Sequence, residues 1–209
     1  MIRIIFFKLF LPVFLFSSGC SNKQMRNFNA VPTFSGDYVN AVIEIPAGTN
    51  KRIKYNEHER MFLVEQADGA DRVIDFLPYP GNYGFVPGTY MDPVMGGDGN
   101  PVEILVISES VPTGTVIEVI PVLVLYFNDT QEFGGQLINP KIIAVPEDRK
   151  QRVIEAADYV DLYENYPDLV DILIQWFVSY KGTGENELKA MGDSDVAINE
   201  IEKWETRRF

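Results

Sequence analysis

A chain of 209 residues that is 46% hydrophobic and 23% charged can bury one sizeable core, which excludes a disordered or fibrous polymer. Its formal net charge of −12 excludes a nucleic-acid surface built on clustered Lys and Arg, so an anionic ligand would need a local basic pocket or bridging cations. With Cys20 the only cysteine and His58 the only histidine, an intramolecular disulfide and a Cys/His zinc cluster are also excluded. A metal would have to be held by oxygen.

The chain begins with a positive start (Arg3, Lys8), an apolar run from Leu9 to Phe16 and the small residues Ser17, Ser18 and Gly19. That is the anatomy of a signal peptide. The run is shorter than the roughly 20 apolar residues that span a bilayer as a helix. Cys20 follows directly, and Ser21, Asn22 and Lys23 are polar. This resembles a bacterial lipoprotein processing site, with Ser17 standing where a leucine is usual. On this reading residues 1–19 are removed, residues 20–36 form a lipidated tether, and residues 37–209 form a domain held at a membrane of the cell envelope. The alternative is a buried N-terminal strand or helix with an incidental cysteine, in a cytoplasmic protein.

From Tyr38 onward apolar runs alternate with Gly/Pro punctuation, without repeats. Strands are expected at Ala41 to Ile45, Met61 to Glu65, Glu103 to Ser108, Val116 to Phe127 and Lys141 to Val145. Short strands in this number suggest a small barrel or sandwich. After Pro167, the residues Leu169, Ile172, Leu173, Trp176, Phe177 and Tyr180 fall at helical spacing, with Gly182 as a stop. A second helix is expected from Asp193 or Ser194, with Ala197, Ile198, Ile201 and Trp204 along one side. The class is α+β, strands first and helices after.

Three segments could carry chemistry. Asp75 to Gly88 holds Tyr79 and Tyr83 among three prolines and three glycines, a stiff loop that could aim phenols at a ligand or could simply connect core tyrosines. Gly96-Gly97-Asp98-Gly99-Asn100-Pro101-Val102-Glu103 sets three oxygen-bearing side chains on a glycine turn that enters a strand. They could converge on a hard cation or form an Asx-type turn, and the spacing is not that of an EF-hand. Lys141 opens an apolar strand and Tyr180-Lys181 close a helix; singly, each also suits a solvated end. His58, between Glu57 and Glu59, reads as a surface residue.

Together with Val42-Ile43-Glu44-Ile45-Pro46-Ala47-Gly48, Lys54-Tyr55 and the run from Lys141 to Pro146, these segments resemble the soluble family I inorganic pyrophosphatases, in colinear order from Tyr38 to Lys181. The resemblance implies a five-stranded, closed, OB-like β-barrel with flanking C-terminal helices, and Mg²⁺-dependent hydrolysis of inorganic pyrophosphate to two phosphates. Mn²⁺ or another divalent cation is the substitute, and self-association into a homo-oligomer is open. It implies substrate contacts from Lys54, Arg72, Tyr79, Tyr83, Lys141, Tyr180 and Lys181, with Gln66 the other occupant of the arginine's place. It implies metal contacts from Glu44, Asp98, Asn100, Glu103, Asp129 and Asn139, of which Asp98, Asn100 and Glu103 form the catalytic run. Here the family's acids are depleted: Asn100 falls at the presumed general base, Asn139 and Asn56 replace further acids, and Glu103 is longer by a methylene. An amide keeps a carbonyl for a cation but cannot take a proton from water. The expected outcomes are therefore an impaired hydrolase or, alternatively, a weak or inactive phosphate- or pyrophosphate-binding envelope lipoprotein.

Overall fold

The computed structural model describes residues 26–130, 136–182 and 186–206, with only the backbone at 129, 130 and 136. The expected signal segment and Cys20 lie outside them, but the expected tether of residues 20–36 is too long: Phe28 is buried against Tyr55 and Phe85, and Phe34–Ser35 pair with residues 38–39, so the domain begins by Phe28. The described chain is a sheet-dominated α+β fold with three helices in its C-terminal part. The strands are β1 (Phe34–Ser35), β2 (Tyr38–Ile45), β3 (Ile53–Asn56), β4 (Met61–Val64), β5 (Gln66–Ala67), β6 (Ala70–Asp71), β7 (Asn82–Phe85), β8 (Glu103–Val106), β9 (Val116–Thr130), β10 (Gln136–Pro146) and β11 (Asn186–Gly192). The helices are α1 (Tyr159–Asn165), α2 (Pro167–Ser179) and α3 (Ser194–Trp204).

The main sheet runs β1-β2-β7-β8-β10-β9-β11, and β2 also pairs with β9, so the pairings of β2, β7, β8, β10 and β9 return to their start. Two separate hairpins, β3-β4 and β5-β6, stand apart from it. The central strands are apolar at nearly every position because both faces are covered. Alternation divides them: Leu105, Ile143 and Val145 join a cluster with Val170, Leu173, Trp176 and Phe177 of α2. Ile104, Val106, Ile142 and Ala144 join the cluster capped by Ala197, Ile201 and Trp204 of α3.

Both expected helices form where their end signals lie. Pro167 occupies the first turn of α2, and the Asp193 side chain caps α3 by accepting from the Val196 N–H at 3.0 Å. The buried stripe of α2 is Val170, Leu173, Trp176 and Phe177, whereas Ile172 is exposed. The strand expected at 61–65 forms, but in the separate hairpin. Lys141 lies inside β10, not at its start. The segment read as a stiff loop contains β7, whose Asn-Tyr-Gly-Phe sequence mixes the strand formers Tyr and Phe with the strand-weakening Asn and Gly. Gly84 is needed there because a Cβ would overlap the Val42 carbonyl of the neighbouring strand.

Candidate active site

One wall of the site is phenolic and cationic. Its anchor is Asn82, fully buried, whose side chain accepts from the Ala47 and Val111 N–H groups at 3.1 and 3.0 Å. Its amide donates to Ser108 Oγ and the Glu109 carbonyl, both at 2.9 Å. All four hydrogen-bonding positions of the amide are used, so the Pro/Gly segment is tied down on both sides of Tyr83. Tyr79 packs against Tyr83 and against Trp176, with ring centroids 5.1 and 4.8 Å apart, and Trp176 stacks on Tyr180 at 4.7 Å. The Trp176 indole N–H donates to the Leu77 carbonyl at 2.9 Å, which locks α2 onto this segment. Burial pushes the Tyr79 and Tyr83 phenols above their ordinary range, so both are neutral hydroxyl donors at neutral pH.

The other wall is built of oxygen. Gly97 fits against the Met91 backbone where a Cβ would collide, and the turn then brings the Asn100 N–H within 2.9 Å of Asp98 Oδ1. Asn100 Oδ1 accepts from Lys54 Nζ at 2.8 Å. Glu103 starts β8 directly opposite Lys141 of the parallel β10, and their side chains form an ion pair. Both share the alternation phase of Leu105 and Ile143, so both point to the face that α2 covers. Asn139 shares that phase; its side-chain oxygen is buried and accepts no hydrogen bond from the described residues. Glu44 sits where β2 shifts register between Ile43 and Ile45, a bulge that turns an acid into the interior. It accepts from the Tyr55 N–H at 2.6 Å, and burial pushes its carboxyl up to about 7 despite that bond and nearby Lys54 and Arg52. Glu44, Lys54, Asn100 and Glu103 line a cavity of about 240 Å³, together with Asn29, Tyr55 and Phe85.

Where the walls meet, cations accumulate. The Lys141 side chain is 5% exposed; its pKa is driven well below the ordinary lysine value by burial and then by Lys181 and Arg52, with Asp98 opposing. A second cavity of about 400 Å³ is lined by Arg52, Arg72, Tyr180 and Lys181, among others. Charge crowding of this kind is costly unless an anion occupies the space between.

Several residues expected from distant segments are brought together: Lys54 bonds Asn100, Lys141 pairs with Glu103 near the charges of Lys181 and Asp98, Tyr79 packs on Tyr83, and Glu44 shares a cavity with Lys54, Asn100 and Glu103. Others stand apart. Arg72 is at the rim, its side chain 47% exposed and 3.0 Å from Glu65. Gln66 is exposed and bonded to Asp71 at 3.0 Å. Asn56 accepts from the Glu59 N–H at 2.9 Å within a turn, and His58 is exposed. Asp129 is placed by its backbone, opposite Leu137 and Asn186; its side chain lies outside the described residues. Arg52, which no sequence motif singles out, joins the site: its guanidinium donates to Tyr79 Oη at 3.3 Å and lies 3.9 Å from Glu103. Its two-residue spacing from Lys54 on an extended segment was the available signal, since such residues share a side.

The donor set suits a hard cation in kind, being all oxygen, and Asn139 offers a buried carbonyl with no other partner. It is poor in charge: among the described residues no three acidic, His or Cys side chains converge as a metal-binding group.

Comparison with known proteins accords with this geometry. The family model for inorganic pyrophosphatase matches residues 41–208. An inorganic pyrophosphatase of Sulfolobus acidocaldarius is 39% identical over 54% of this chain and 57% of its own length. One of Agrobacterium fabrum is 32% identical over 82% of this chain and 92% of its own. The solved inorganic pyrophosphatase of Helicobacter pylori superposes with a TM-score of 0.67 at 27% identity, covering 83% of this chain and 95% of that one. The chain belongs to the inorganic pyrophosphatase family.

Proposed function

We propose that this protein hydrolyses inorganic pyrophosphate to two phosphates. The observation that carries the reading is the meeting of Lys54, Lys141, Lys181 and Arg52 with three phenols on one side of an oxygen-donor cluster. Pyrophosphate carries several negative charges, and attack on phosphorus requires them to be neutralised while attacking and leaving oxygens are held in line. In the balanced reaction, water oxygen bonds to one phosphorus, the bridging P–O bond breaks with its electron pair on the leaving phosphate, and the two water protons end one on each product.

Asp98, Asn100, Glu103 and Asn139, with Glu44 and Asp129, would hold Mg²⁺ or a substitute divalent cation. That ion supplies positive charge and acidifies bound water. The chain's own groups do the rest. Lys54, Lys141 and Lys181 neutralise phosphoryl oxygens, and the neutral phenols donate to them. Asp98, two residues from Asn100, is the carboxylate on the turn able to accept a proton. Because Asn100 cannot, the rate is expected to lie about 10²–10⁴ below that of a site with a full general base.

The return of the strand pairings from β9 to β2 supports a closed five-stranded barrel of the OB type. The sequence of residues 1–23 supports export and a lipid on Cys20, giving an enzyme held at an envelope membrane by a polar tether. Phosphate release from pyrophosphate by purified full-length protein, in Mg²⁺ and in Mn²⁺, tests the activity. Release above the uncatalysed rate is expected; none in either metal would overturn it. Cys20→Ser should move the protein from the membrane to the soluble fraction, and an unchanged distribution would overturn the anchor.

A further inference from the structure

We infer that Arg52 is the guanidinium that grips the substrate, and that Glu65, clamped by Arg72, holds it in place. This rests on the pyrophosphatase reading and assigns a residue within that site.

Three backbone segments meet at Arg52. Its N–H donates to the Arg72 carbonyl at 3.0 Å, its carbonyl accepts from the Glu65 N–H at 2.8 Å, and the Arg72 N–H donates to the Glu65 carbonyl at 2.7 Å. The small hairpin of β5 and β6 makes this possible by folding residues 66–71 out of the way and returning the chain beside Glu65. Glu65 then lies between two arginines: its Oε2 is 2.9 Å from Arg52 Nε and 3.0 Å from Arg72 Nη1. The two arginines differ in setting. The Arg52 side chain is 17% exposed and Arg72 is 47% exposed.

The Arg52 guanidinium is under-used by the protein. A planar fork has five N–H donors. One meets Tyr79 Oη at 3.3 Å, while Nη2 lies 3.9 Å from Glu103, beyond hydrogen-bond range. Nε is close to Glu65 but not aligned with it, so this buried N–H makes no hydrogen bond. With Nε held against Glu65, the Nη2 end is the part of the fork left without a hydrogen-bond partner among the described residues, and a buried donor of that kind is costly unless a ligand completes it. Arg52 also lies at the junction of the two cavities: it lines the one with Tyr180 and Lys181, and its neighbour Glu103 lines the other with Lys54 and Asn100. A two-phosphoryl anion laid across that junction places one phosphoryl group on the oxygen cluster and the other against Arg52. As the bridging bond breaks, the leaving phosphate gains negative charge where the fork can meet it.

The test compares Arg52→Gln, Arg52→Lys and Arg72→Gln in full-length protein, by steady-state pyrophosphate hydrolysis, calorimetric pyrophosphate binding and thermal unfolding. Arg52→Gln should lower kcat/KM by about 10²–10³. Arg52→Lys should recover part of this but stay about tenfold or more below wild type, because a point charge lacks the fork. Arg72→Gln should cost at least about tenfold less than Arg52→Gln and act on KM, as expected of a buttress. Added guanidinium ion should raise turnover by the Arg52→Gln variant and not by wild type. Loss in Arg72→Gln as large as in Arg52→Gln, or a folded Arg52→Lys or Arg52→Gln as active as wild type, would overturn the assignment. If Arg52→Gln does not fold, Arg52→Lys decides. Wild-type protein without turnover would sink the pyrophosphatase reading itself; the Arg52 assignment would then stand or fall on whether Arg52→Gln weakens pyrophosphate binding.

Discussion

The two walls of the site are made differently. The phenol and cation wall is bolted to the core: Tyr79 packs tilted against Trp176, which stacks on Tyr180 and is tied to the Leu77 carbonyl, and the Asn82 side chain next to Tyr83 closes four hydrogen bonds. The oxygen wall is mixed: Asp98 and Asn100 ride on a glycine turn, whereas Glu103, Asn139 and Glu44 stand on strands of the main sheet, and two of its members are amides. Geometry for gripping the anion is built into the fold's packing, while the chemistry of the water side depends on a few side chains that can change without unfolding anything.

The comparison is broken most severely from the packed side. Trp176→Ala should cost about 3–5 kcal/mol of stability and raise KM, measured by denaturant unfolding and kinetics, because Tyr79 and Tyr180 both lose their packing partner. Equal stability would show that the wall does not need the stack. Lys141→Met should cut kcat/KM by about 10²–10³ with little loss of stability, since the variant removes a charge that burial already disfavours. A large fall in melting temperature instead would make Lys141 a structural ion pair with Glu103.

The oxygen wall is sharpened by pH. Unfolded Glu44 ionises near the ordinary glutamate value of 4.5, whereas the folded carboxyl holds its proton to about 7. The folded state therefore binds more protons between those values, so the contribution is whole below 4.5 and is lost as pH rises through about 7. In chelator, wild type should lose up to about 3 kcal/mol across that window relative to Glu44→Gln. Parallel stability curves would show that Glu44 ionises normally. The smallest effect belongs to restored charge: Asn100→Asp with Asn139→Asp should raise turnover at least about tenfold and tighten Mg²⁺ dependence. An unchanged rate would show that these amides do not face the attacking water.

Long apolar strands and capped helices were readable along the chain because their signals are local: alternation or runs for β8, β9 and β10, Pro167 for α2, Asp193 for α3. The strand β7 was not, since its glycine answers to the Val42 backbone of another strand. Nor was β11, whose residues Asn186–Gly192 carry a mixed pattern and gain strand form by pairing with β9. Nor was the hairpin at 66–71, whose two-residue strands are too short to carry an alternation signal.

By itself the sequence determined the residue types of the site and the order of the segments that deliver them, because motif chemistry and turn residues are written in consecutive positions. Only the tertiary structure decided which arginine enters the site. Arg52, Glu65 and Arg72 lie on three successive segments that backbone bonds make neighbours, and which guanidinium is buried follows from that meeting. The same holds for Asn139, whose orphaned carbonyl exists because strand alternation and the covering layer seal it from water.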